Sequence, residues 1–489
     1  MKLKVRFLDW TAGIPVAMLN EDTAEKLGVR IRDRISIKVD SRELDTIVDT
    51  IGKFIGKNEI AVSAEIKKRL GLRRGQMLDI ALAENPVSLN YIKKKLNNHQ
   101  LSQKEIKEII TDIVNNSLSE AEIALFVSGM YKFGMTMKET IFLIKAILEN
   151  GSVLDFKNKL VVDKHCIGGI AGNRTTPIIV SICASTGLIM PKNSSRAITS
   201  AAGTADVIES VADVEFSVSE LKKIIKKTGA CMVWGGGLKL VPADSMIIQV
   251  EKMVSIDPEA MLLASIMSKK LSVGSDYILI DIPYGKNAKV DYKHALKLKK
   301  KFEYLGKYFK KHLKVVLTDG SQPIGNGIGP VLEIIDVLKV LRRENSPMDL
   351  EEKSLFLAGE ILEMTGKAKK GQGKNLAFEI LESGKAYQKF LEIIKAQNGN
   401  LNRIKLAKYN KTICAKRNCS IAEIHNKKIN TMARLSGCPA DKSAGLYIHV
   451  YLNDKLKKGD KIITIYSESK SRLKEALRFY EKEKPVRIK

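Results

Sequence analysis

The segment "KHCIGGIAGNRTT" (164–176) decides the fold, because it separates a short apolar run from a helix-forming run. The apolar run before it is "LVV" (160–162), and "PIIVSICASTG" (177–187) follows it. The segment contains one lysine, one histidine, three glycines and one arginine. Glycine lets the backbone approach an anion closely, and a lysine adds positive charge. The pattern predicts a strand, an anion-binding loop and a helix.

Further apolar runs alternate with helical patterns beyond this segment. Short apolar runs are typical of buried parallel strands, and the carboxyl ends of such strands bind ligands. We therefore predict an α/β phosphate-binding domain with a mostly parallel sheet over residues 156–400. Its predicted strands are residues 160–162, 188–191, 231–234, 277–282 and 314–318.

The first part of the chain contains a weak internal repeat. The segment 19–39 is similar to the segment 62–82, and each predicts a short helix, a glycine turn and an alternating strand. Two such copies predict a small double-psi-like β-barrel domain over residues 1–84.

Two other regions differ from the α/β region in their sequence pattern. Ser102, Ser119 and Thr136 each precede a glutamate by three residues, which is the spacing of a helix capping box. They predict a helical domain over 85–155. The alternating segment 445–469 predicts a β-hammerhead within a C-terminal α+β domain over 401–489. The expected fold is therefore multidomain α/β.

Composition limits the class of protein. The chain has 489 residues, of which 44% are hydrophobic and 28% charged, and no apolar run approaches the ~20 residues of a membrane span. The first residues lack the pattern of a signal peptide, so we expect a cytoplasmic protein. Six scattered cysteines without zinc spacing favour free thiols, and we expect no metal.

The formal net charge is +27, which raises the possibility of a nucleic-acid partner. The sequence has no RNA- or DNA-binding signature, and aromatic residues make up only 6% of it. We therefore expect no nucleic acid, and favour solvated lysine faces with a basic cleft for a small polyanion. A basic nucleic-acid-binding or adaptor protein is the alternative from another class.

Two later stretches add polar groups to the predicted anion site. The segment "NSSRAITSAAGTAD" (193–206) supplies several hydroxyls and Arg196 directly after a predicted strand. In "SIDPEAMLLASIMSKKL" (255–271), Asp257 precedes a proline at a predicted helix start. Ser265 and Lys269 are four residues apart on that helix and share a face.

These motifs resemble those of the thymidine/pyrimidine-nucleoside phosphorylases. The stretches "KHCIGG", "SSRAITSAAGTAD", "VPAD", "ASIMSKKL" and "SDYILIDIPYG" follow in the order seen in that family. The N-terminal domain and the form of the second motif resemble the archaeal branch, the AMP phosphorylases. This resemblance implies an active site in a cleft between a helical and an α/β domain, and a homodimer or larger homo-oligomer. It also implies that the helical domain, 85–155, is joined in space by about 242–272.

The resemblance also implies an activity and a set of residues. The expected reaction is phosphorolysis of AMP by inorganic phosphate to adenine and ribose 1,5-bisphosphate, with CMP and UMP as further substrates and no cofactor. Asp257 is the implied proton donor. The implied contacts to AMP and phosphate are Lys164, His165, Gly169, Ser194, Ser195, Arg196, Ala197, Ile198, Thr199, Ser200, Thr204, Ser265, Lys269 and Lys289.

Two positions depart from the pyrimidine-nucleoside enzymes. Those enzymes have a serine where Cys166 stands, so Thr175 or the backbone must compensate. They also have a base-contacting arginine where Val250 stands here, which argues against thymidine or uridine as main substrate. A pyrimidine-nucleoside phosphorylase and an anthranilate-type phosphoribosyltransferase are the alternative enzymes. The latter would hold a metal-bound diphosphate, and this sequence has no evident acidic motif for it.

Overall fold

The computed structural model describes residues 1–8, 10–13, 15–52, 54–156, 160–197, 200–238 and 240–489. The chain divides into two compact units. The first contains Met1–Asn150 and Pro242–Ala264, and the second contains Gly151–Val241 and Ser265–Lys489. The domain limits expected from the sequence remain predictions.

The first unit begins with a closed six-stranded barrel, which confirms the barrel expected at the N-terminus. Helices α1 and α2 both end at a glycine in the left-handed region, Gly28 with φ 70° and Gly71 with φ 59°. Both copies of the repeat therefore form a helix, a glycine turn and a strand. The elements are β1 (Lys2–Phe7), β2 (Val16–Leu19), α1 (Glu21–Leu27), β3 (Arg34–Val39), β4 (Arg42–Thr50), β5 (Glu59–Val62), α2 (Ala64–Leu70) and β6 (Met77–Leu82).

Four helices follow the barrel: α3 (Ser88–Leu96), α4 (Gln103–Asn115), α5 (Glu120–Phe133) and α6 (Met137–Glu149). The three predicted capping boxes, at Ser102, Ser119 and Thr136, are all formed. Each satisfies backbone N–H groups that a helix start leaves without partners. The sequence therefore predicts where α4, α5 and α6 begin.

The second unit contains the parallel strands of the α/β region. Strands β11, β10 and β7 form one parallel sheet, β8 and β9 form another, and a parallel bridge between Val161 and Ile189 links β7 to β8. The elements are β7 (Val162–Cys166), α7 (Thr175–Ser185), β8 (Met190–Ser194), α8 (Thr204–Glu209), α9 (Val218–Thr228), β9 (Ala230–Trp234), α10 (Pro242–Val254), α11 (Glu259–Ser272), β10 (Tyr277–Tyr284), α12 (Tyr292–Tyr308) and β11 (His312–Asp319). Helix α10 and the start of α11 belong to the first unit, where α10 packs against α4, α5 and α6.

Two strands extend further than the apolar runs predict. Strand β7 continues to Cys166 and β8 to Ser194, so Lys164 and Ser194 lie on strands and not in loops. The prediction that the loop begins at Lys164 was wrong. The cause is that Asp163, Lys164 and Lys192 are buried in ion pairs, so the hydrophobic pattern ends before the strand does.

The remaining elements complete the second unit. A four-stranded sheet of order β12-β15-β17-β13 and a three-stranded sheet of order β16-β14-β18 lie near the C-terminus, together with helices α17 and α18. No helix among the described residues is both long and apolar enough to cross a membrane. The elements are β12 (Gly327–Ile328), α13 (Pro330–Arg342), α14 (Met348–Met364), α15 (Gly373–Glu382), α16 (Lys385–Ala396), β13 (Tyr409–Cys414), β14 (Cys419–Ile424), α17 (Asn426–Ser436), β15 (Gly445–Ile448), β16 (Lys455–Leu456), β17 (Lys461–Ser467), α18 (Lys470–Glu483) and β18 (Val486–Ile488).

Candidate functional site

Lys164 lies on β7 with its ammonium group among polar partners. Its Nζ donates to the Thr175 hydroxyl at 2.9 Å and lies 3.8 Å from the Asp281 carboxylate. Asp281 also accepts from the Thr318 hydroxyl at 2.6 Å and pairs with Lys353 at 3.2 Å. Burial lowers the pKa of Lys164, and the nearby Asp281 opposes that shift. An anion beside Lys164 would stabilise its charged form.

A second charge cluster lies on the same strand. Asp163 is fully buried and pairs with Lys270 at 2.5 Å and with Lys192 at 3.5 Å. Burial moves the pKa of Lys270 well below its usual value, against the attraction of Asp163. Asp163 therefore has two cationic partners.

Lysines outnumber carboxylates in this part of the second unit. Because an uncompensated buried charge is costly, an excess of buried cations favours an anionic ligand. Four lysines share two aspartates, and each of these side chains is at most 9% exposed: Lys164, Lys192, Lys270, Lys353, Asp163 and Asp281. With all groups ionised, this set carries two positive charges in excess.

Three polar side chains at the carboxyl ends of β7 and β8 have buried atoms without a hydrogen-bond partner in the described part of the chain. These atoms are His165 Nδ1, both amide atoms of Asn193, and Ser194 Oγ. Burial moves the pKa of His165 well below its usual value, and Lys270 and Lys192 add to this shift, so the imidazole is neutral. Unsatisfied buried polar groups are rare in native proteins, so these atoms indicate a ligand site.

The hydroxyl-rich loop after β8 is shaped by carboxylates. Asp206 accepts from the backbone N–H groups of Ala197 at 2.7 Å and Gly203 at 2.8 Å. The Arg196 guanidinium donates to both oxygens of Glu209, each at 2.6 Å, and this pairing holds the pKa of Glu209 at about 2. Arg196 is thus already matched by carboxylates and shapes the loop.

Other hydroxyls of this loop make hydrogen bonds of their own. Ser200 donates to the Ala202 carbonyl at 2.8 Å, and Thr204 accepts from Arg174 at 2.7 Å. Ser195 is partly buried, and its carbonyl lies where a Cβ at Gly203 would stand, so this turn requires glycine. Ile198 and Thr199 lie outside the described residues.

The structure brings two further predicted contacts to this unit. Gly169 has φ 92°, and a Cβ there would lie 2.8 Å from Lys289 Cβ, so Lys289 packs directly against the first loop. On α11 the Lys269 Nζ donates to the Ser265 hydroxyl at 2.6 Å, which confirms that the two side chains share a face. Asp257 belongs to the first unit, where it is exposed just before α11.

The two departures from the pyrimidine pattern have structural consequences. Cys166 Sγ accepts from the Gly168 N–H at 3.5 Å and from the Asn173 amide at 3.4 Å, and burial raises the pKa of this thiol. A neutral thiol is a poor nucleophile, so Cys166 fits a structural position. Val250 is buried on α10.

Sequence reasoning missed residues that hold the loops from a distance. Arg174 donates to Glu333 at 2.7 Å as well as to Thr204, and so links the first loop to the second. On α17, Asn426 accepts from the Ala171 N–H at 3.1 Å and Asn430 from the Ala201 N–H at 2.9 Å. An arginine inside the first motif was a visible signal, whereas no local pattern marks the two asparagines.

Three family models match the chain. They are the helical bundle domain of a glycosyl transferase family over 89–151, the a/b domain of a glycosyl transferase family over 158–387, and the pyrimidine nucleoside phosphorylase C-terminal domain over 420–486. The chain is also similar to a solved anthranilate phosphoribosyltransferase from Thermus thermophilus. The TM-score is 0.52 at 18% identity, over 63% of this chain and 99% of that chain, which is a likeness of fold.

Curated relatives match over nearly the whole chain. An AMP phosphorylase from Pyrococcus furiosus is 42% identical, with 100% of this chain and 98% of the relative covered. AMP phosphorylases from Thermococcus kodakarensis (41% identical, 100% and 98% covered) and Methanococcus vannielii (40%, 99% and 97%) are similarly close. Identity at this level over the full length means that the chain belongs to the AMP phosphorylase family.

Proposed function

We propose that the protein cleaves AMP with inorganic phosphate to adenine and ribose 1,5-bisphosphate. A phosphate oxygen forms a bond to C1′ of the ribose, and the bond from C1′ to the adenine nitrogen breaks. The electron pair of that bond leaves with adenine, which takes up a proton. Positive charge develops on the ribose and negative charge on the base, so catalysis needs an anion near C1′ and an acid near the base.

The excess of buried lysines is the observation that carries this proposal. Lys164, tied to the Thr175 hydroxyl, and Ser194 lie at the carboxyl ends of neighbouring strands, which is where α/β sheets bind ligands. We assign the attacking phosphate to these groups together with Thr204. The Thr175 hydroxyl fills the role that a serine at position 166 has in the pyrimidine enzymes.

The nucleotide brings a second phosphate and a leaving base. Lys289, packed on Gly169, and Lys269, bonded to Ser265, are the cations that we assign to the nucleotide. Arg196 is paired with Glu209 and holds the loop that surrounds the attacking phosphate. We assign protonation of adenine to Asp257.

The proposal extends to finer features of the protein. CMP and UMP are further substrates, phosphate is the only co-substrate, and the protein is a cytoplasmic homodimer or larger homo-oligomer. The two parallel strand pairs of the barrel, β1 with β5 and β2 with β4, support a double-psi-like topology. A β-hammerhead within the C-terminal region belongs to the same proposal.

Base release tests the function directly. The protein is incubated with AMP, CMP, UMP, adenosine or thymidine, with and without phosphate, and free base is measured by chromatography. We expect adenine from AMP only when phosphate is present. Absence of free base from every nucleotide would defeat the proposal, and thymine as the main product would favour the pyrimidine-nucleoside alternative.

A further inference from the structure

We propose that Asn193 binds the ribose 2′-hydroxyl of the nucleotide and so makes the enzyme selective for ribonucleotides over 2′-deoxyribonucleotides. The inference rests on the proposed function and adds a specificity residue to it. Asn193 lies on β8, is 1% exposed, and has no partner for either amide atom among the described residues.

The orientation of Asn193 follows from strand alternation. Successive side chains of a strand point to opposite faces of the sheet. Val161, Ile189 and Val233 all belong to one apolar cluster, whereas Val162, Met190 and Met232 belong to the cluster on the other face. The two residues four positions beyond Val161 and Ile189 are His165 and Asn193, which therefore share the face of the first cluster.

His165 and Asn193 lie on strands that are joined near their starts. Val161 pairs with Ile189 in a parallel bridge, and further along, the ammonium of Lys192, which precedes Asn193 in the chain, lies 3.5 Å from Asp163. The ammonium groups of Lys270 and Lys269 are close enough to His165 to lower its pKa. Lys192, whose ammonium donates to the Asn193 carbonyl at 2.9 Å, also lowers the pKa of His165, so Asn193 and the neutral imidazole belong to one buried polar cluster.

The adjoining residues in the chain relate these two side chains to the reacting carbon. Lys164 precedes His165, and Ser194 follows Asn193, and both are assigned to the attacking phosphate. In a reactive complex the phosphate oxygen lies about 3 Å from C1′. Because successive side chains of a strand alternate, His165 and Asn193 face away from Lys164 and Ser194, toward the side where Asp163 pairs with Lys270 of α11. Since α11 also bears Lys269, which we assign to the nucleotide, we place the ribose C2′ and its hydroxyl on this side.

The chemistry of the unpaired atoms fits a hydroxyl. An amide offers donors on Nδ2 and an acceptor on Oδ1, and a hydroxyl both donates and accepts. A phosphate oxygen would satisfy Nδ2 but leave Oδ1 facing negative charge. The 2′-hydroxyl donates to Oδ1, or to His165 Nδ1, while accepting from Asn193 Nδ2. A 2′-deoxynucleotide leaves this buried amide unpaired.

Substrate selectivity in Asn193→Leu tests the inference. A site that binds a substrate hydroxyl strongly rejects the analogue that lacks it, so wild-type kcat/KM should favour AMP over 2′-deoxy-AMP by about 100-fold or more. Leucine of similar size should lower this ratio by at least about tenfold, because activity on AMP falls while activity on 2′-deoxy-AMP is kept. Asn375→Leu, an exposed asparagine on α15, is the matched control and should keep the wild-type ratio.

Two further readouts separate binding from a structural role. Without ligand, removal of an unpaired buried amide should leave the melting temperature of Asn193→Leu unchanged or raise it, whereas a structural amide would lower it. Calorimetric affinities for AMP and 2′-deoxy-AMP should converge in Asn193→Leu, and in Asn193→Ala if the leucine variant does not fold.

The results that would contradict the Asn193 assignment differ from the result that would defeat the proposed function. Equal losses on AMP and 2′-deoxy-AMP would overturn the assignment while leaving AMP phosphorolysis intact. A changed ratio of AMP to CMP with an unchanged ratio of AMP to 2′-deoxy-AMP would assign Asn193 to the base and also overturn it. A wild-type protein that releases no adenine from AMP would defeat the proposed function, and this inference with it.

Discussion

The Lys164 ammonium donates to the Thr175 hydroxyl at 2.9 Å, which ties strand β7 to the first residue of helix α7 across the glycine-rich loop. The hydroxyl orients the lysine while the Asp281 carboxylate stays 3.8 Å away. The lysine therefore keeps N–H groups that can donate to an anion. This geometry gives Thr175 the role of a hydroxyl at the phosphate site, which Cys166, in the place of the serine of the pyrimidine enzymes, does not supply.

Thr175→Val should weaken phosphate binding. Valine keeps the shape of threonine but removes the hydroxyl, and loss of one hydrogen bond to a charged group costs about 1.5–3 kcal/mol. We expect the KM for phosphate to rise at least about tenfold, with little change in the KM for AMP. Steady-state kinetics with each substrate varied in turn measures both constants.

The matched control is Thr186→Val at the other end of the same helix. The Thr186 hydroxyl donates only to the Cys183 carbonyl at 2.7 Å in the described structure, away from Lys164. It should leave both KM values unchanged. Equal effects of the two variants, or equal rises of both KM values in Thr175→Val, would remove Thr175 from the phosphate site.

Anion binding should be accompanied by proton uptake. Burial lowers the pKa of Lys164 and moves that of Lys270 well below its usual value. A bound anion favours the charged lysine and raises its pKa, so at a pH between the two values the protein takes up a proton. The direction follows from this linkage. The protein takes up protons when the anion binds, and anion binding weakens as the pH rises.

Sulfate is the probe for this effect, because it does not titrate in this pH range, so any proton taken up on binding is bound by the protein. Calorimetry at about pH 8, in buffers of different ionisation enthalpy, gives the number of protons per sulfate. Lys164→Met should reduce that number, and Lys297→Met on the exposed side of α12 should not. Sulfate binding without proton uptake by the wild-type protein would contradict the prediction.

Lys289→Ala should impair AMP cleavage more than adenosine cleavage. Lys289 packs against Gly169 in the first loop, and we assign its ammonium to the 5′-phosphate, which adenosine lacks. The expected loss in kcat/KM is about ten- to a hundredfold for AMP, in line with a charge-assisted contact, and small for adenosine. Lys286→Ala, three residues earlier and paired with Glu423 at 3.4 Å, is the control. Equal losses on both substrates would assign Lys289 elsewhere.

Sequence patterns predicted the parts of the fold that depend on local chemistry. The capping boxes fixed three helix starts, and the i, i+4 spacing of Ser265 and Lys269 predicted their contact, because both depend only on helix geometry. The predicted ends of β7 and β8 were wrong, because a buried lysine looks like a loop residue in the sequence until its partner is known.

Long-range contacts were beyond sequence reasoning. Asn426 and Asn430 hold the two loops through backbone N–H groups more than two hundred residues away, with separations of 255 and 229 residues. Asparagine on a helix face has no pattern that indicates such a partner. The unpaired amide of Asn193 was equally hidden, because pairing depends on the whole fold.

Asp257→Asn should lower turnover far more than AMP affinity. The asparagine keeps the size of the side chain but has no acidic proton for the departing adenine, and general acid catalysis contributes about 10²–10⁴-fold. We expect kcat to fall by at least about a hundredfold while the calorimetric Kd for AMP changes less than about threefold. Asp79→Asn on β6, an exposed aspartate of the same compact unit, is the control and should behave as wild type. Because an acid is needed only for a poor leaving group, a nucleotide with a more acidic base should be affected less by Asp257→Asn. Unchanged turnover on AMP would remove Asp257 from the acid role.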